Sequence, residues 1–186
     1  QMMGHPVTLL HGVTSSGKTE IYIHLIQKAI DEHKQVLYLL PEIALTVQIT
    51  ERLKAVFGNR LGIYHSKYSD AERVEIWQKQ LSAQPYDVIL GARSAVFLPF
   101  QRLGLVIIDE EHEQSFKQQD PAPRYHARSA AIVLAQMYAG AKTLLGTATP
   151  SMETYYNAQQ GKYGLVELTR RYKDIHLPAI EVVDVK

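Results

Sequence analysis

The sequence predicts an α/β fold, a mostly parallel β-sheet with helices on both faces. Short β-branched and leucine-rich runs alternate with longer amphipathic stretches along almost all of the 186 residues. Several of the short runs are apolar without interruption, as strands buried on both faces must be. A glycine-rich turn joins the first run directly to a helical pattern.

Taken in order, Val7 to His11 reads as the first strand, and Lys18 to Glu32 as the helix that returns from it. Val36 to Leu40, Leu61 to His65 and Val88 to Gly91 are the next strands. Thr46 to Phe57 and Asp70 to Ser82 have helical spacing, with Asp70 a candidate N-cap and Trp77 expected in the core. Leu105 to Asp109 is a strand that ends in carboxylates. Gln114 to Arg124 is irregular, because Gln118-Gln119-Asp120-Pro121-Ala122-Pro123 forbids a continuous helix. So long a loop in a compact domain is more often functional than idle. Helix Tyr125 to Tyr138, strand Lys142 to Gly146, helix Ser151 to Gln160 and strand Tyr163 to Leu168 follow. The chain divides into one domain over 1–176 and a linker or edge strand over 177–186.

Composition narrows the class. Hydrophobic residues at 46% and charged residues at 21% exclude a disordered tail and a membrane protein. Twenty basic against 19 acidic side chains leave +1, so any nucleic-acid affinity must come from a local patch. The absence of cysteine excludes a disulfide framework, a thiolate zinc site and a cysteine nucleophile, and it fits a reducing cytoplasm. No apolar run spans a bilayer, and Gln1-Met2-Met3-Gly4-His5 lacks the regions of a signal peptide. The expectation is a soluble cytoplasmic protein, or a fragment of a larger one, with no membrane partner.

Gly12-Val13-Thr14-Ser15-Ser16-Gly17-Lys18-Thr19 satisfies G-x-x-x-x-G-K-[ST] between a strand and a helix, the context the motif requires. A polyphosphate is wrapped by backbone N–H groups, which needs glycine where a side chain would clash and favours a positive helix N-terminus. Lys18 is assigned to the β- and γ-phosphates and the Thr19 hydroxyl to Mg2+. A chance match in a chain of this size is on the order of 1%. ATP with Mg2+ is therefore the expected ligand.

Leu105-Val106-Ile107-Ile108-Asp109-Glu110-Glu111-His112 places carboxylates beyond a buried strand, where open α/β sheets bind ligands. Asp109 is expected to hold the Mg2+ shell, and Glu110 to orient and deprotonate the attacking water. His112 is read as a coupling residue or as a polar cap. The remaining histidines are scattered without paired ligand spacing.

At this point the residues resemble a family. The phosphate loop with Thr19-Glu20-Ile21-Tyr22, then Leu40-Pro41-Glu42-Ile43-Ala44-Leu45-Thr46, Gly91-Ala92-Arg93-Ser94-Ala95, Asp109-Glu110-Glu111-His112 and Gly146-Thr147-Ala148-Thr149-Pro150-Ser151 look like successive motifs of the first RecA-like lobe of a superfamily 2 helicase. Their order and wording are closest to the primosomal helicases of bacterial replication restart, and the resemblance covers nearly the whole chain. Ser15 stands where that family usually carries glycine, at a variable position of the motif. Ser129 stands where the family generally has aspartate.

The resemblance implies a RecA-like P-loop NTPase lobe of a 3′-to-5′ DNA helicase. Its implied partners are ATP, single-stranded and forked DNA and, through a parent protein, primosome and single-strand-binding proteins, with a monomeric state expected. It also implies a second lobe that supplies arginines to the γ-phosphate. Zinc is implied in the parent, with no ligands for it in this chain. The isolated lobe is then expected to bind ATP and hydrolyse little.

DNA contacts or coupling are expected from Arg93 and Ser94, from the Pro41 to Ala44 turn, and from Ser115 to Arg128. There Phe116 and Tyr125 lie among Lys117, Arg124 and Arg128, a mixture of stacking faces and cations. Phe116 and Tyr125 are otherwise core aromatics. Thr147 and Thr149 link the two sites through the acidic motif, or cap the helix that starts near Ser151. Rival readings are a different superfamily 2 motor, such as an RNA helicase or duplex translocase, and a non-catalytic nucleotide-dependent binding module.

Overall fold

A computed structural model describes residues 4–13, 16–65 and 68–169. Thr14 and Ser15 of the phosphate loop, and the linker expected over 177–186, lie outside the described residues.

Seven strands form one sheet: β1 (Val7–Gly12), β2 (Gln35–Leu39), β3 (Leu61–Tyr64), β4 (Val88–Gly91), β5 (Leu103–Asp109), β6 (Lys142–Thr147) and β7 (Gly164–Leu168). Their order is β3-β4-β2-β5-β6-β1-β7, and every strand pairing among the described residues is parallel. Among the described residues five α-helices cover it: α1 (Lys18–Asp31), α2 (Val47–Phe57), α3 (Asp70–Leu81), α4 (Ala127–Gln136) and α5 (Met152–Gln159).

The expected double burial follows from the period of two in the strands. Leu9, Leu37, Leu39, Ile89, Val106, Ile108 and Leu145 face one layer, filled by Ile76 of α3, Ala127, Ala131 and Ala135 of α4, and Ala158 of α5. Their neighbours Leu10, Val36, Tyr38, Val88, Leu90, Ile107 and Leu144 face the other, filled from α1 and α2 by Tyr22, Ile26, Leu53 and Phe57. An uninterrupted apolar run is thus two alternating faces that both need cover.

Three expectations are corrected. Asp70 is not the N-cap of α3. Ser69 holds that place in a capping box, its hydroxyl accepting from the Glu72 amide while the Glu72 carboxylate accepts from the Ser69 amide. Trp77 is not in the core. The helix buries Ile76 and Gln80, one turn apart, which rotates Trp77 outward to 44% exposure. The helix expected from Tyr125 begins at Ala127, because residues 117 and 126 first pair as an antiparallel bridge. That bridge and a 3-10 turn over Gln114–Phe116 give the proline-containing loop fixed ends.

Candidate active site

The phosphate loop leaves the sheet at Gly12 and enters α1 at Lys18. Gly17 precedes the helix at φ 84°, a left-handed conformation that a side chain strongly disfavours. A Cβ on Gly12 would stand 2.7 Å from the Ser16 hydroxyl. That hydroxyl is buried and has no hydrogen-bond partner among the described residues. Lys18 folds back, its ammonium donating to the Gly12 carbonyl at 2.9 Å. A helix N-terminus, a buried hydroxyl in want of an acceptor, and a lysine turned onto the strand end together suit a chain of phosphates.

Asp109 ends β5, and β6 lies between β5 and β1. The basic and acidic motifs therefore stand on next-but-one strands rather than adjacent ones. They share a level all the same, since Asp109 pairs with Gly146 and His11 with Thr147 at the carboxyl rim. Burial raises the Asp109 pKa, against hydrogen bonds from Tyr22 and the positive charge of Lys18. Burial and the Asp109 charge raise Glu110, and Lys18 and His112 oppose them. The Lys18 ammonium thus acts on both carboxylates. Glu110 has φ 49°, a left-handed backbone that costs about 1–2 kcal/mol in a residue with a side chain.

The third and fourth acidic-motif residues tie this rim to the rest of the lobe. Glu111 is fully buried and accepts from the Ser151 amide at 2.8 Å, the Thr154 hydroxyl at 2.9 Å and Arg128 at 2.6 Å. Arg128 also donates to Glu153 at 2.6 Å. His112 Nδ1 lies 2.7 Å from the Thr147 hydroxyl, and the Thr149 amide donates to that hydroxyl at 3.0 Å. Thr147 is thus hydrogen-bonded to the acidic motif, whereas the cap of α5 is Ser151.

Leu40, Pro41, Glu42, Arg93, Ser94, Ser115 and Phe116 line one small cavity of about 130 Å³ beside the rim. Three separate stretches of sequence meet there. Arg93 is partly committed, donating to the Ser115 and Lys117 carbonyls at 3.2 Å each. Lys117 reaches the Arg124 carbonyl, and Tyr125 packs edge to face on Phe97 with centroids 4.7 Å apart. Two of the candidates are buried. Phe116 has no exposed surface, so it offers no face to a base. Arg128 is buried in the carboxylate network, which removes it from direct contact with a phosphate strand. Arg124 remains exposed, and Lys117 and Tyr125 are half-buried.

Sequence reasoning missed Tyr22 and Tyr38, whose hydroxyls reach Asp109 at 2.9 and 3.5 Å. Tyr22 left two traces, its place at the end of the motif segment Thr19-Glu20-Ile21-Tyr22 and its position four residues after Lys18 on the same face of α1. Thr19 and Asp109 stand at the rim as a hydroxyl and a carboxylate suited to Mg2+. No group of three or more His, Asp or Glu that could hold a metal by itself occurs among the described residues. No described helix is long and apolar enough to cross a membrane.

Comparison with known proteins gives the same picture. The replication restart protein PriA of Bacillus subtilis (strain 168) is 44% identical over 182 residues, 98% of this chain and 22% of its own length. PriA of Rickettsia felis is 49% identical over 177 residues, 95% of this chain and 27% of its own. The chain therefore spans about a quarter of these curated relatives. Among solved structures, RecG bound to a three-way DNA junction superposes with a TM-score of 0.60 at 22% identity, over 87% of this chain and 20% of that one. Mycobacterium smegmatis Lhr bound to single-stranded DNA and AMP-PNP gives 0.62 at 22% identity, over 89% and 24%. Both likenesses show the fold, a RecA-like α/β domain. With the DEAD/DEAH box helicase model matching residues 2–158, the chain belongs to the DEAD/DEAH box helicase family.

Proposed function

We propose that this chain is the ATP-binding motor lobe of a 3′-to-5′ DNA helicase that acts in primosome assembly and replication restart. The observation that carries the ATPase reading is the meeting of Lys18, Asp109 and Glu110 at one rim, beside a loop whose Ser16 hydroxyl has no hydrogen-bond partner among the described residues. The role in restart rests on identities of 44% and 49% to two PriA proteins, and polarity on the family resemblance.

ATP enters with its phosphates along the loop amides. Lys18 exchanges the Gly12 carbonyl for the β- and γ-phosphate oxygens. Thr19 and Asp109 would hold Mg2+, which when bound neutralises charge on the transferred phosphoryl group. Glu110 orients the attacking water and accepts its proton, and its raised pKa makes it a stronger base than an exposed glutamate. DNA lies across the cavity formed by Pro41, Arg93, Ser94 and Ser115, with Lys117, Arg124 and Tyr125 beside it. Thr147 and Thr149 bond to His112, which passes the state of that strand directly to Glu110.

The test is ATP turnover by the full-length protein without nucleic acid and with single-stranded DNA, duplex DNA or RNA. Stimulation by single-stranded DNA that Lys18→Ala abolishes is the expected result. Preferential stimulation by RNA or duplex DNA would favour another motor class, and a Lys18→Ala protein with full function would overturn the ATPase reading.

A further inference from the structure

Two buried phenols grip the Asp109 carboxylate. Tyr22 on α1 and Tyr38 in β2 have no exposed surface, and their rings meet edge to face with centroids 5.5 Å apart. The Tyr22 hydroxyl donates to Asp109 Oδ1 at 2.9 Å, and Tyr38 reaches Oδ2 at 3.5 Å. Gly146, paired with Asp109 across β5 and β6, provides the space: a Cβ there would stand 1.8 Å from the Tyr22 hydroxyl and 3.2 Å from Asp109 Oδ1. Phenylalanine would fill the same core volume without the cost of burying a hydroxyl, so packing alone does not call for these oxygens.

We infer that Tyr22, supported by Tyr38, is a positioning residue that presents Asp109 to the Mg2+ of a nucleotide complex. This rests on the reading of Asp109 as the carboxylate of the metal shell. Each Asp109 oxygen can accept two hydrogen bonds. The phenols and the Glu110 amide occupy one part of that capacity and fix the carboxylate plane, leaving the rest for a cation. Tyr22 belongs to the helix that opens with Lys18 and Thr19, so the same hydrogen bond sets the separation between the Thr19 hydroxyl and the Asp109 carboxylate. Carboxylates that bind metals are commonly held by such outer hydrogen bonds, whose loss costs about 10–100-fold in metal affinity.

The test is binding of a fluorescent ADP analogue to the full-length protein, titrated with Mg2+ and repeated in EDTA. In EDTA, wild type and Tyr22→Phe are expected to bind alike. With Mg2+, Tyr22→Phe is expected to need about 10–100-fold more of the ion for the same tightening. Tyr38→Phe should show a smaller shift, in keeping with its longer contact. A Tyr22→Phe titration that overlays the wild type overturns the inference. So does an equal loss in EDTA and in Mg2+, which would make Tyr22 a packing residue. If wild-type binding itself ignores Mg2+, the reading of the site as a Mg-nucleotide centre falls first and this inference with it.

Discussion

Arg128 Nη1 lies 2.6 Å from Glu111 Oε2, in a pair whose glutamate is fully buried and whose arginine is 8% exposed. It joins the end of β5 to the start of α4 and, through Ser151 and Thr154, to α5. Removing Arg128 strands the Glu111 carboxylate in a region that water does not reach, whereas Arg128 without Glu111 keeps Glu153 as its partner. Arg128→Ala is expected to destabilise the lobe by about 3–5 kcal/mol, and Glu111→Ala by less because Arg128 keeps Glu153, both read from the urea midpoint at constant slope. Replacing both with apolar residues of similar volume should recover much of that loss, because the penalty comes from an unpaired charge.

Phe116 and Arg124 lie in the same loop and should fail in different assays. Phe116→Ala removes a ring with no exposed surface and is expected to cost about 3–5 kcal/mol of stability. Arg124 is exposed, so Arg124→Ala should leave the unfolding midpoint within about 0.5 kcal/mol of wild type. Its expected effect is on single-stranded DNA, where log K against log[salt] should lose about one charge's worth of slope. A Phe116→Ala protein of wild-type stability and reduced DNA affinity would return that ring to the strand-stacking role.

These two residues show what the sequence made legible. Both motifs were readable because their chemistry is local: Gly17 must adopt a left-handed φ, and Asp109 must follow a buried strand. Strand positions followed from apolar runs covered on two faces. Burial within loops was not readable, because whether Phe116 faces a base or the core depends on α4, which arrives eleven residues later. Arg128 reads as a DNA cation until Glu111 and Glu153 are placed around it, and those contacts span 17 and 25 residues. Tyr22 and Tyr38 were invisible for the same reason, since Asp109 lies 87 and 71 residues away. Trp77 was misplaced by a smaller error, one helical step from the buried Ile76.

His112 stands between Glu110, at 3.6 Å, and the Thr147 hydroxyl, at 2.7 Å. Alanine there breaks both side-chain links seen from His112 to the Thr147 segment among the described residues, to the Thr147 and the Thr149 hydroxyls. His112→Ala is expected to lower DNA-stimulated hydrolysis more than basal hydrolysis, reducing the stimulation factor by about 5–150-fold. Turnover measured across a range of single-stranded DNA concentrations checks it. An equal fall in both rates would place His112 in the chemistry instead.

Asp109→Asn should stabilise the lobe while ending hydrolysis. The folded-state pKa of Asp109 lies above its ordinary 3.8, chiefly because burial disfavours the charge. Below about 3.8 both folded and unfolded chains hold the proton, and the group contributes nothing. Between that value and the raised folded value the folded chain holds more protons, so stability falls as pH rises, and the full penalty persists at neutral pH. Asparagine keeps the shape: its Oδ1 still accepts from Tyr22, and its amide can donate to the Tyr38 hydroxyl oxygen. A gain of about 1 kcal/mol corresponds to about 2–4 °C in Tm for a chain of this length. Calorimetry from pH 4 to pH 8 should show the wild-type and Asp109→Asn midpoints separating as pH rises through the lower part of that range. A variant that is less stable at neutral pH would mean that Lys18 and the two phenols outweigh the burial of the charge.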